Sequence, residues 1–448
     1  MQALEKKQVL VVGNDQYGRA AARLLRDCGA FITEVNGESD VADTNKYAVA
    51  VVSPDVSSRS PAVQQIKAAK VRIISDLELG FQESRCLSIA VSGTSGKSST
   101  CALISRILAQ CERQTIVAGY DSTPICEVVD QTCDLDFLTI SASAFQLEHI
   151  EFFRPSVAVL LNVTHDHQDR FDSHADYLRT KARLFQNQQP FDWAIVQSEA
   201  WAQMKTLGLP MPGKVITFSA SNSRADIFLD RGLLISRLED WAGPLLDMAQ
   251  TAFRGPHFAE NLMAALAVSR VLRLSLEQTI AAIKGSRPLP NCCEFLGERN
   301  GVTFINDADC NNLDALRSAI WSIPSERREP NVWLIAGGGE KELDYYDLGP
   351  LFSQRLKGAF LFGKSREKLR GAWSLFTPCT LSDSLLEAVS QATAGAVEGD
   401  TIIFSPACSS FDQFRNDQHR GEVFREAVKG LMSTSNGAGA GNKHKMMI

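Results

Sequence analysis

The chain has 448 residues, a formal net charge of −6, and a composition of 44% hydrophobic and 22% charged residues. These values are typical of a globular protein with two to four domains and exclude a largely disordered chain. The negative charge balance and the lack of a Lys/Arg run argue against a nucleic-acid partner. No apolar stretch reaches the roughly 18 residues of a membrane span. The first residues also lack the apolar core of a signal peptide, so we expect no membrane partner.

The eleven cysteines indicate a reducing compartment. Their number is odd, they are scattered along the chain, and no two of them form a Cys-X-X-Cys pair. Zinc ribbons and redox dithiols are therefore not expected. Reduced, buried thiols are the simpler interpretation, and we expect a cytoplasmic protein.

Alternating strand and helix patterns open the chain. They predict strands at 8–13, 48–52 and 73–74, and helices at 19–28 and 61–69. We therefore expect a small Rossmann-like domain over residues 1–87. Gly13 and Gly18 keep two anchors of a dinucleotide-binding turn, although its middle glycine is missing.

A phosphate-binding loop is the clearest motif of the chain. A strand-like apolar run at 89–91 leads into Gly-Thr-Ser-Gly-Lys-Ser and then into an amphipathic helix. This order is that of a phosphate loop two residues shorter than the eight-residue motif, and the alternative is a surface turn that caps a helix. We expect backbone N–H groups and Lys97 to bind nucleotide phosphates and Ser98 to hold Mg²⁺. The candidate nucleotide-binding residues here are Gly93, Thr94, Ser95, Gly96, Lys97, Ser98 and Ser99.

Two further α/β blocks follow, each with the pattern of a mainly parallel sheet. The central block, residues 88–290, has strands predicted at 115–118, 137–140, 157–162 and 193–197, and helices at 261–272 and 276–284. The proline-bearing segment 286–290 is the best linker. The last block, residues 291–432, has strands predicted at 302–306, 332–336, 358–362 and 401–404. Residues 433–448, rich in Gly, Ser and Asn, are expected to form a disordered tail.

Polar clusters follow several of the predicted strands. Residues 161–170 hold two His and two Asp at a strand end, where open α/β sheets bind ligands, although a solvated loop explains them equally well. Lys181 follows on a predicted helix, on the same face as Tyr177. It is either an ion-pair partner of the acidic residues or a part of the site itself. Three loops of the last block, at 304–307, 335–339 and 405–412, would meet on one rim. A rim of this kind facing the phosphate loop favours a ligase or a kinase-like enzyme.

Together these motifs resemble the Mur ligase family, ATP-dependent amide ligases of peptidoglycan precursor synthesis. The resemblance extends over about residues 7–430. Within the family, the chain most resembles the members that attach D-glutamate. The motifs that carry it lie at 93–98, 143–148, 162–170, Lys181, 255–261, 305–307, 337–341 and 405–414.

The resemblance implies a fold, a reaction and roles for residues. Three α/β domains are implied: a Rossmann-like UDP-sugar domain, a central ATPase domain of phosphate-loop type, and a C-terminal Rossmann-like domain for the amino acid. ATP and Mg²⁺ would act on a UDP-activated muramoyl substrate and a free amino acid, through an acyl phosphate, in a monomer. The implied catalytic residues are Lys97, His167 and Lys181, the last one carbamylated. The implied metal ligands are Ser98, His167 and Lys181, the further nucleotide-binding residues are Asn261 and Asp307, and the substrate-binding residues are Lys341, Ser410 and Phe411.

Several positions depart from the family pattern. Ser141 stands at a metal-binding Glu, Cys292 at an Arg near the ATP phosphates, and Asp309 at a Lys. Further departures lie at 53–55, 119–122 and Phe258. Losing two cations and one carboxylate costs several kcal/mol of transition-state stabilisation if nothing compensates. Two alternatives to the D-glutamate ligase therefore stay open: a nucleotide-binding relative without turnover, and an amide ligase with another substrate pair.

Overall fold

The structure is a computed structural model that describes residues 4–167, 170–324, 329–340, 345–410 and 412–434. The chain forms two compact units, Met1–Ser286 and Arg287–Ile448, so the division lies at the predicted proline-bearing linker. The expected α/β class with mainly parallel sheets is confirmed. Among the described residues, no helix combines the length and the apolar composition needed to cross a bilayer.

The first unit begins with a four-stranded parallel sheet in the order β2-β1-β3-β4. Residues Val9–Val12 of β1 are fully buried between helices, as expected for a central parallel strand. The strands are β1 Gln8–Val12, β2 Phe31–Val35, β3 Val49–Val52 and β4 Ile73–Ser75, and the helices are α1 Gln16–Asp27, α2 Pro61–Ala68 and α3 Asp76–Glu83.

The same unit contains a nine-stranded sheet in the order β13-β12-β11-β10-β9-β8-β5-β7-β6, antiparallel only at β11-β12-β13. The central strand β5 has parallel neighbours β7 and β8. The strands are β5 Leu87–Ser92, β6 Thr115–Gly119, β7 Phe137–Ser141, β8 Val157–Leu160, β9 Trp193–Gln197, β10 Lys214–Ser219, β11 Ile227–Asp230, β12 Leu233–Ser236 and β13 Gly243–Asp247. The helices are α4 Lys97–Gln110, α5 Ile125–Val128, α6 Ala144–Leu147, α7 His174–Ala182, α8 Ser198–Thr206, α9 Pro256–Val271 and α10 Leu276–Lys284.

The second unit has a six-stranded sheet in the order β14-β15-β19-β16-β17-β18, antiparallel only at β14-β15. The strands are β14 Glu294–Arg299, β15 Val302–Asn306, β16 Val332–Gly337, β17 Leu356–Phe362, β18 Cys379–Leu381 and β19 Thr401–Phe404. The helices are α11 Leu313–Ser322, α12 Gly349–Arg355, α13 Arg366–Trp373, α14 Leu385–Gly395 and α15 Asp417–Thr434. The predicted tail starts inside α15, and residues 435–448 lie outside the described residues.

Three sheets therefore stand where three domains were expected, and the boundary predicted after residue 87 falls at the start of β5. Because the first two sheets share one compact unit, that boundary stays a prediction. The structure also contains strands that were not predicted, including β10–β13 and β14. Turns with positive φ angles, typical of tight hairpins, lie at Arg231-Gly232 between β11 and β12 and at Asn300-Gly301 between β14 and β15. Helix α9 begins at Pro256 and not at residue 261, because proline suits the first turn of a helix.

Buried carboxylates of α3 join the first sheet to the second. Both oxygens of Asp76 accept hydrogen bonds from Gln146 Nε2, at 3.2 and 2.9 Å. The Glu78 carboxylate accepts three backbone N–H groups, from Glu151, Phe152 and Phe153, at 2.9–3.0 Å. Buried hydrogen bonds of this kind are costly to break, so the two sheets of this unit are held in a fixed relation.

Burial raises the pKa of Asp76 to about 7, against hydrogen bonds that lower it. The folded state therefore keeps this proton up to about pH 7, whereas the unfolded state releases it near pH 4. Between these values the folded state binds more protons, so the free energy of unfolding falls as pH rises, by up to about 1.4 kcal/mol per pH unit. We predict a flatter dependence between pH 4 and 7 for Asp76→Asn, measured by chemical unfolding. The exposed Asp230→Asn serves as control and should keep the wild-type slope, and an unchanged slope in Asp76→Asn would contradict the assignment.

Candidate active site

The phosphate loop connects β5 to α4 at the carboxyl edge of the nine-stranded sheet. Gly96 has φ +88°, and a Cβ added there would lie 2.5 Å from Asn261 Oδ1. Both the backbone conformation and the close approach of α9 therefore require glycine. The predicted loop forms, and Asn261 of the 255–261 motif lies directly against it.

The N-terminus of α4 is left open to an anion. Among the described residues, no side chain caps this helix. The loop is held from behind by Asn162, which pairs with Ser95 through both its amide oxygen and its amide nitrogen, at 2.9 and 3.1 Å. Lys97 Nζ lies 3.3 Å from the carbonyl oxygen of Gly93 and 3.2 Å from that of Thr94. The first N–H groups of α4, with Ser98 and Ser99 in its first turn, are thus placed to bind a phosphate.

Lys181 lies beneath this loop on α7. Its side chain is 1% exposed, and Nζ donates a hydrogen bond of 2.9 Å to the Gly93 carbonyl oxygen. The amine also lies 4.7 Å from the centre of the Tyr177 ring. Burial, with the nearby Lys97, holds the pKa of Lys181 well below its usual range, and Asp166 opposes this shift. A neutral amine is a nucleophile, so this lysine is chemically suited to modification.

His167 is brought to the same place by the segment after β8. Its ring lies edge-on to Phe145, with ring centres 4.8 Å apart, and 5.9 Å from the ring of Tyr177. Asp166 lies beside it, with 3.6 Å between Oδ2 and His167 Nε2. Thr94 Oγ1 accepts a bond from the Thr164 N–H at 3.1 Å, which ties this segment to the phosphate loop. The structure therefore brings together Lys97, Lys181 and the 162–170 segment, apart from Gln168 and Asp169, which lie outside the described residues.

The donor set fits Mg²⁺ only in part. No group of three or more His, Cys, Asp or Glu side chains that could hold a metal occurs among the described residues. Ser141, at the end of β7, is 1% exposed, and its hydroxyl has no hydrogen-bond partner among the described residues. Mg²⁺ usually takes one or two protein ligands and completes its shell with substrate phosphates and water. The hydroxyl of Ser98 and the carboxylate of Asp166 suit that kind of site.

Helix α9 carries two groups that the sequence interpretation missed. Glu260 accepts hydrogen bonds from Gln197 Nε2 at 2.9 Å and from the Ala220 N–H at 3.3 Å, and burial raises its pKa to about 7. His257 has a ring nitrogen, Nδ1, without a partner among the described residues. Both residues belong to the 255–261 motif, so that motif was the sequence signal that could have identified them. Phe258, a departure from the family pattern, is buried against Phe253, with ring centres 5.3 Å apart.

In the second unit, Asp307 follows β15 and is buried. Its oxygens accept hydrogen bonds from the Ser405 hydroxyl at 2.7 Å and from the Cys293 N–H at 3.0 Å. Burial raises the pKa of Asp307 to about 7, with a smaller contribution from Asp309. Asp309 in turn accepts a weak hydrogen bond from the Cys292 thiol at 3.6 Å. Two of the departing residues are therefore in contact with each other.

Ser410 lies on the neighbouring loop after β19. Its side chain is 1% exposed, and its hydroxyl has no partner among the described residues. Arg420 of α15, fully buried, donates hydrogen bonds to the carbonyl oxygens of Cys408 at 2.9 Å and of Ala308 at 2.7 Å. One guanidinium therefore connects the loop of Ser410 to the loop that follows Asp307. The predicted substrate-binding residues Lys341 and Phe411 lie outside the described residues.

Comparison with known proteins agrees with this arrangement. Residues 91–269 match the family Mur ligase middle domain. The UDP-N-acetylmuramoylalanine–D-glutamate ligase of Acidobacterium capsulatum is 32% identical, over 95% of this chain and 96% of the relative. The enzyme of the same name from Geotalea uraniireducens is 33% identical, over 96% of this chain and 99% of the relative.

Solved structures show the same fold. A pseudomurein peptide ligase type C from Methanothermus fervidus matches with a TM-score of 0.62 at 13% identity, over 95% of this chain and 100% of the other. MurF ligase from Thermotoga maritima, solved in complex with ADP, matches with a TM-score of 0.62 at 16% identity, over 96% of both chains. The fold of nearly the whole chain is therefore shared with these two structures.

Replacing Gly96 by alanine tests the open helix N-terminus. The added Cβ would displace Asn261 or the loop, and we expect ATP binding, measured by calorimetry, to weaken at least about tenfold, which corresponds to about 1.4 kcal/mol. Gly208→Ala is the matched control, because Gly208 also has a positive φ but nothing within 4 Å of its added Cβ. Wild-type affinity in Gly96→Ala would show that this loop does not bind the nucleotide.

Proposed function

Because the chain belongs to the Mur ligase family, we propose that it is an ATP-dependent, ADP-forming amide ligase that joins D-glutamate to UDP-N-acetylmuramoyl-L-alanine in peptidoglycan precursor synthesis. The observation that supports this most directly is the open N-terminus of α4 with Lys97, directly above the buried Lys181. The proposed substrates are based on the names of relatives that match nearly the whole chain.

The reaction has two displacement steps. A carboxylate oxygen of the muramoyl-alanine substrate attacks the γ-phosphorus of ATP, the bond to the β,γ-bridging oxygen breaks, and ADP leaves. The amine of D-glutamate then attacks the acyl carbon, the bond to phosphate breaks, and the amine loses a proton. Charge accumulates on the phosphoryl oxygens in the first step. Lys97 and the α4 N–H groups would bind those oxygens, so positioning and charge neutralisation are the protein's main contributions.

Mg²⁺, when bound, would neutralise the phosphate charges and orient the oxygens. Ser98 would supply a hydroxyl, and His167 and Lys181 would hold further positions. Lys181 can supply an oxygen only after its neutral amine has attacked the carbon of CO₂ and lost a proton, which gives a carbamate. The lowered pKa of the buried amine supports that modification, because it favours the neutral form, and only that form has an electron pair for the attack.

Further residues of both units would bind reactants. Asn261 of the first unit and Asp307 of the second unit are proposed to contact the nucleotide. Ser410, Lys341 and Phe411 of the second unit are proposed to hold the incoming amino acid. The buried Ser410 hydroxyl has no partner in the described part of the chain, which supports this role, since buried hydroxyls normally have a hydrogen-bond partner. Cytoplasmic location, a monomeric state and the lack of nucleic-acid and membrane partners stay predictions.

A second candidate function is a nucleotide-binding relative without turnover. It is favoured by one observation, the replacement of charged groups at Ser141, Cys292 and Asp309. The Ser141 hydroxyl has no partner among the described residues, and the Cys292–Asp309 contact leaves a carboxylate where a cation is expected. Both functions require the same phosphate loop, so turnover separates them.

Phosphate release from ATP distinguishes the two functions. With Mg²⁺, UDP-N-acetylmuramoyl-L-alanine and D-glutamate, we expect release that requires both substrates. Lys97→Ala should lower the rate by at least about 100-fold, because the lysine neutralises the transferring phosphoryl group. Lys205→Ala, an exposed lysine of the same unit, should keep wild-type activity. ATP binding without any release would refute the ligase and leave the binding protein.

Restoring the missing charges tests the departures. We expect the triple change Ser141→Glu, Cys292→Arg and Asp309→Lys to raise the rate of phosphate release by at least about tenfold. Arg and Lys return cations that stabilise the transferring phosphate, and Glu returns a carboxylate that can hold a metal ion. The matched control carries Ser141→Gln with the other two changes, which fills the same space without the carboxylate. A rate equal to wild type in the triple variant would favour a different substrate pair.

A further inference from the structure

The first helix, α1, differs from α4 at its N-terminus. In Rossmann-like domains the turn between the first strand and the first helix binds the phosphates of a nucleotide through helix N–H groups. Here Asp15 caps α1, and its Oδ1 accepts the N–H groups of Tyr17 and Gly18 at 2.9 and 3.0 Å. Its other oxygen, Oδ2, accepts the hydroxyl of Ser53, which follows β3. The chain's own carboxylate therefore occupies the place of a phosphate.

Two more carboxylates lie near Asp15. Burial raises the pKa of Asp55, and the charges of Asp15 and Asp121 raise it further, while Arg170 opposes them. Arg170 itself donates hydrogen bonds of 2.8 Å to the carbonyl oxygens of Pro54 and Val56. A diphosphate at this corner would meet three carboxylates, and the cations Arg170 and Arg19 both donate to backbone carbonyl oxygens there. The electrostatics therefore oppose a highly charged anion.

An aromatic contact closes the same corner from the second sheet. The rings of Tyr17 and Tyr120 are stacked with centres 5.7 Å apart. The Asp121 N–H donates a hydrogen bond of 3.0 Å to the Tyr17 hydroxyl. The turn after β6 is thereby tied to the first turn of α1. A phosphate group would have to displace this contact as well as Asp15.

We propose that Asp15 closes the α1 N-terminus to phosphate, so that this chain recognises its substrate through the amino sugar and the amino acid that carries the carboxylate. The nucleotide diphosphate then adds little to binding. The substrate class is a carboxylate-bearing amino sugar, with or without a nucleotide at its anomeric position. This inference rests on the proposed ligase function and concerns which part of the substrate is bound.

Steady-state kinetics with two substrates test the inference. KM is measured for UDP-N-acetylmuramoyl-L-alanine and for N-acetylmuramoyl-L-alanine, with ATP and D-glutamate saturating. In the wild type we expect the two KM values to agree within about threefold. Asp15→Gly removes the carboxylate at small cost to the cap, and should lower KM for the UDP form at least about tenfold while leaving the other unchanged. Asp15→Asn keeps the side-chain volume and should give a smaller decrease.

Asp43→Asn removes one negative charge from an exposed loop of the same sheet and should match the wild type. A wild-type KM at least about tenfold lower for the UDP form than for the UDP-free form would overturn the inference. So would an Asp15→Gly variant whose KM values equal those of the wild type.

Binding of UDP alone, measured by calorimetry, keeps the test independent of turnover. Asp15→Gly should bind UDP at least about tenfold more tightly than the wild type, and equal affinities would overturn the inference. If neither substrate supports phosphate release, the proposed function fails while this measurement still decides the inference. If Asp15→Gly does not fold, Asp55→Asn leaves the α1 cap intact and should bind UDP about threefold more tightly, and unchanged affinity would count against the inference.

Discussion

The unpaired N–H groups at the start of a helix are the constraint on which this structure depends. They carry partial positive charge and require an acceptor from a side chain, water or a ligand. At α4 no described side chain supplies it, and the loop before the helix is instead held from behind by Asn162. At α1 the acceptor is Asp15. Two strand–turn–helix units of one chain thus differ in whether a side chain satisfies these N–H groups, and the difference is a single carboxylate.

Around the open helix, the chain limits the number of positive charges. Two lysines, Lys97 and Lys181, approach the carbonyl oxygen of Gly93. Burial opposes the charge on Lys181 much more than on a partly exposed lysine, since an ion loses its hydration in the interior. The lowered pKa of Lys181 therefore reduces the positive charge that would accumulate beside Lys97. The same burial makes Lys181 reactive, so the cost of removing it from water is linked to its chemistry.

The sequence pattern predicted those parts of the site that are formed by residues close together in the chain. The phosphate loop was recognisable because a buried strand, two glycines and an amphipathic helix are consecutive in the chain. Residues 162–170 and Lys181 were placed near it by resemblance, because spacing alone does not state which face of α7 meets β5. The cap by Asp15 is a local contact with residues two and three positions away. The stacking of Tyr17 on Tyr120 joins residues about 100 positions apart, which no periodicity reveals. The hairpin at Asn300-Gly301 could have been predicted, since that dipeptide is a strong turn signal.

The departures in the second unit change charge while the scaffold is kept. Arg420 connects the loops of Ser410 and Asp307 through two backbone carbonyl oxygens, and neither bond involves a departing side chain. Asp307 likewise keeps its bond to Ser405, which lies at the end of β19. Cys292 and Asp309 contact each other at the surface of this arrangement. A loss of activity caused by these two residues would therefore be electrostatic in origin. Electrostatic losses, unlike misplaced loops, can be reversed by returning the charges.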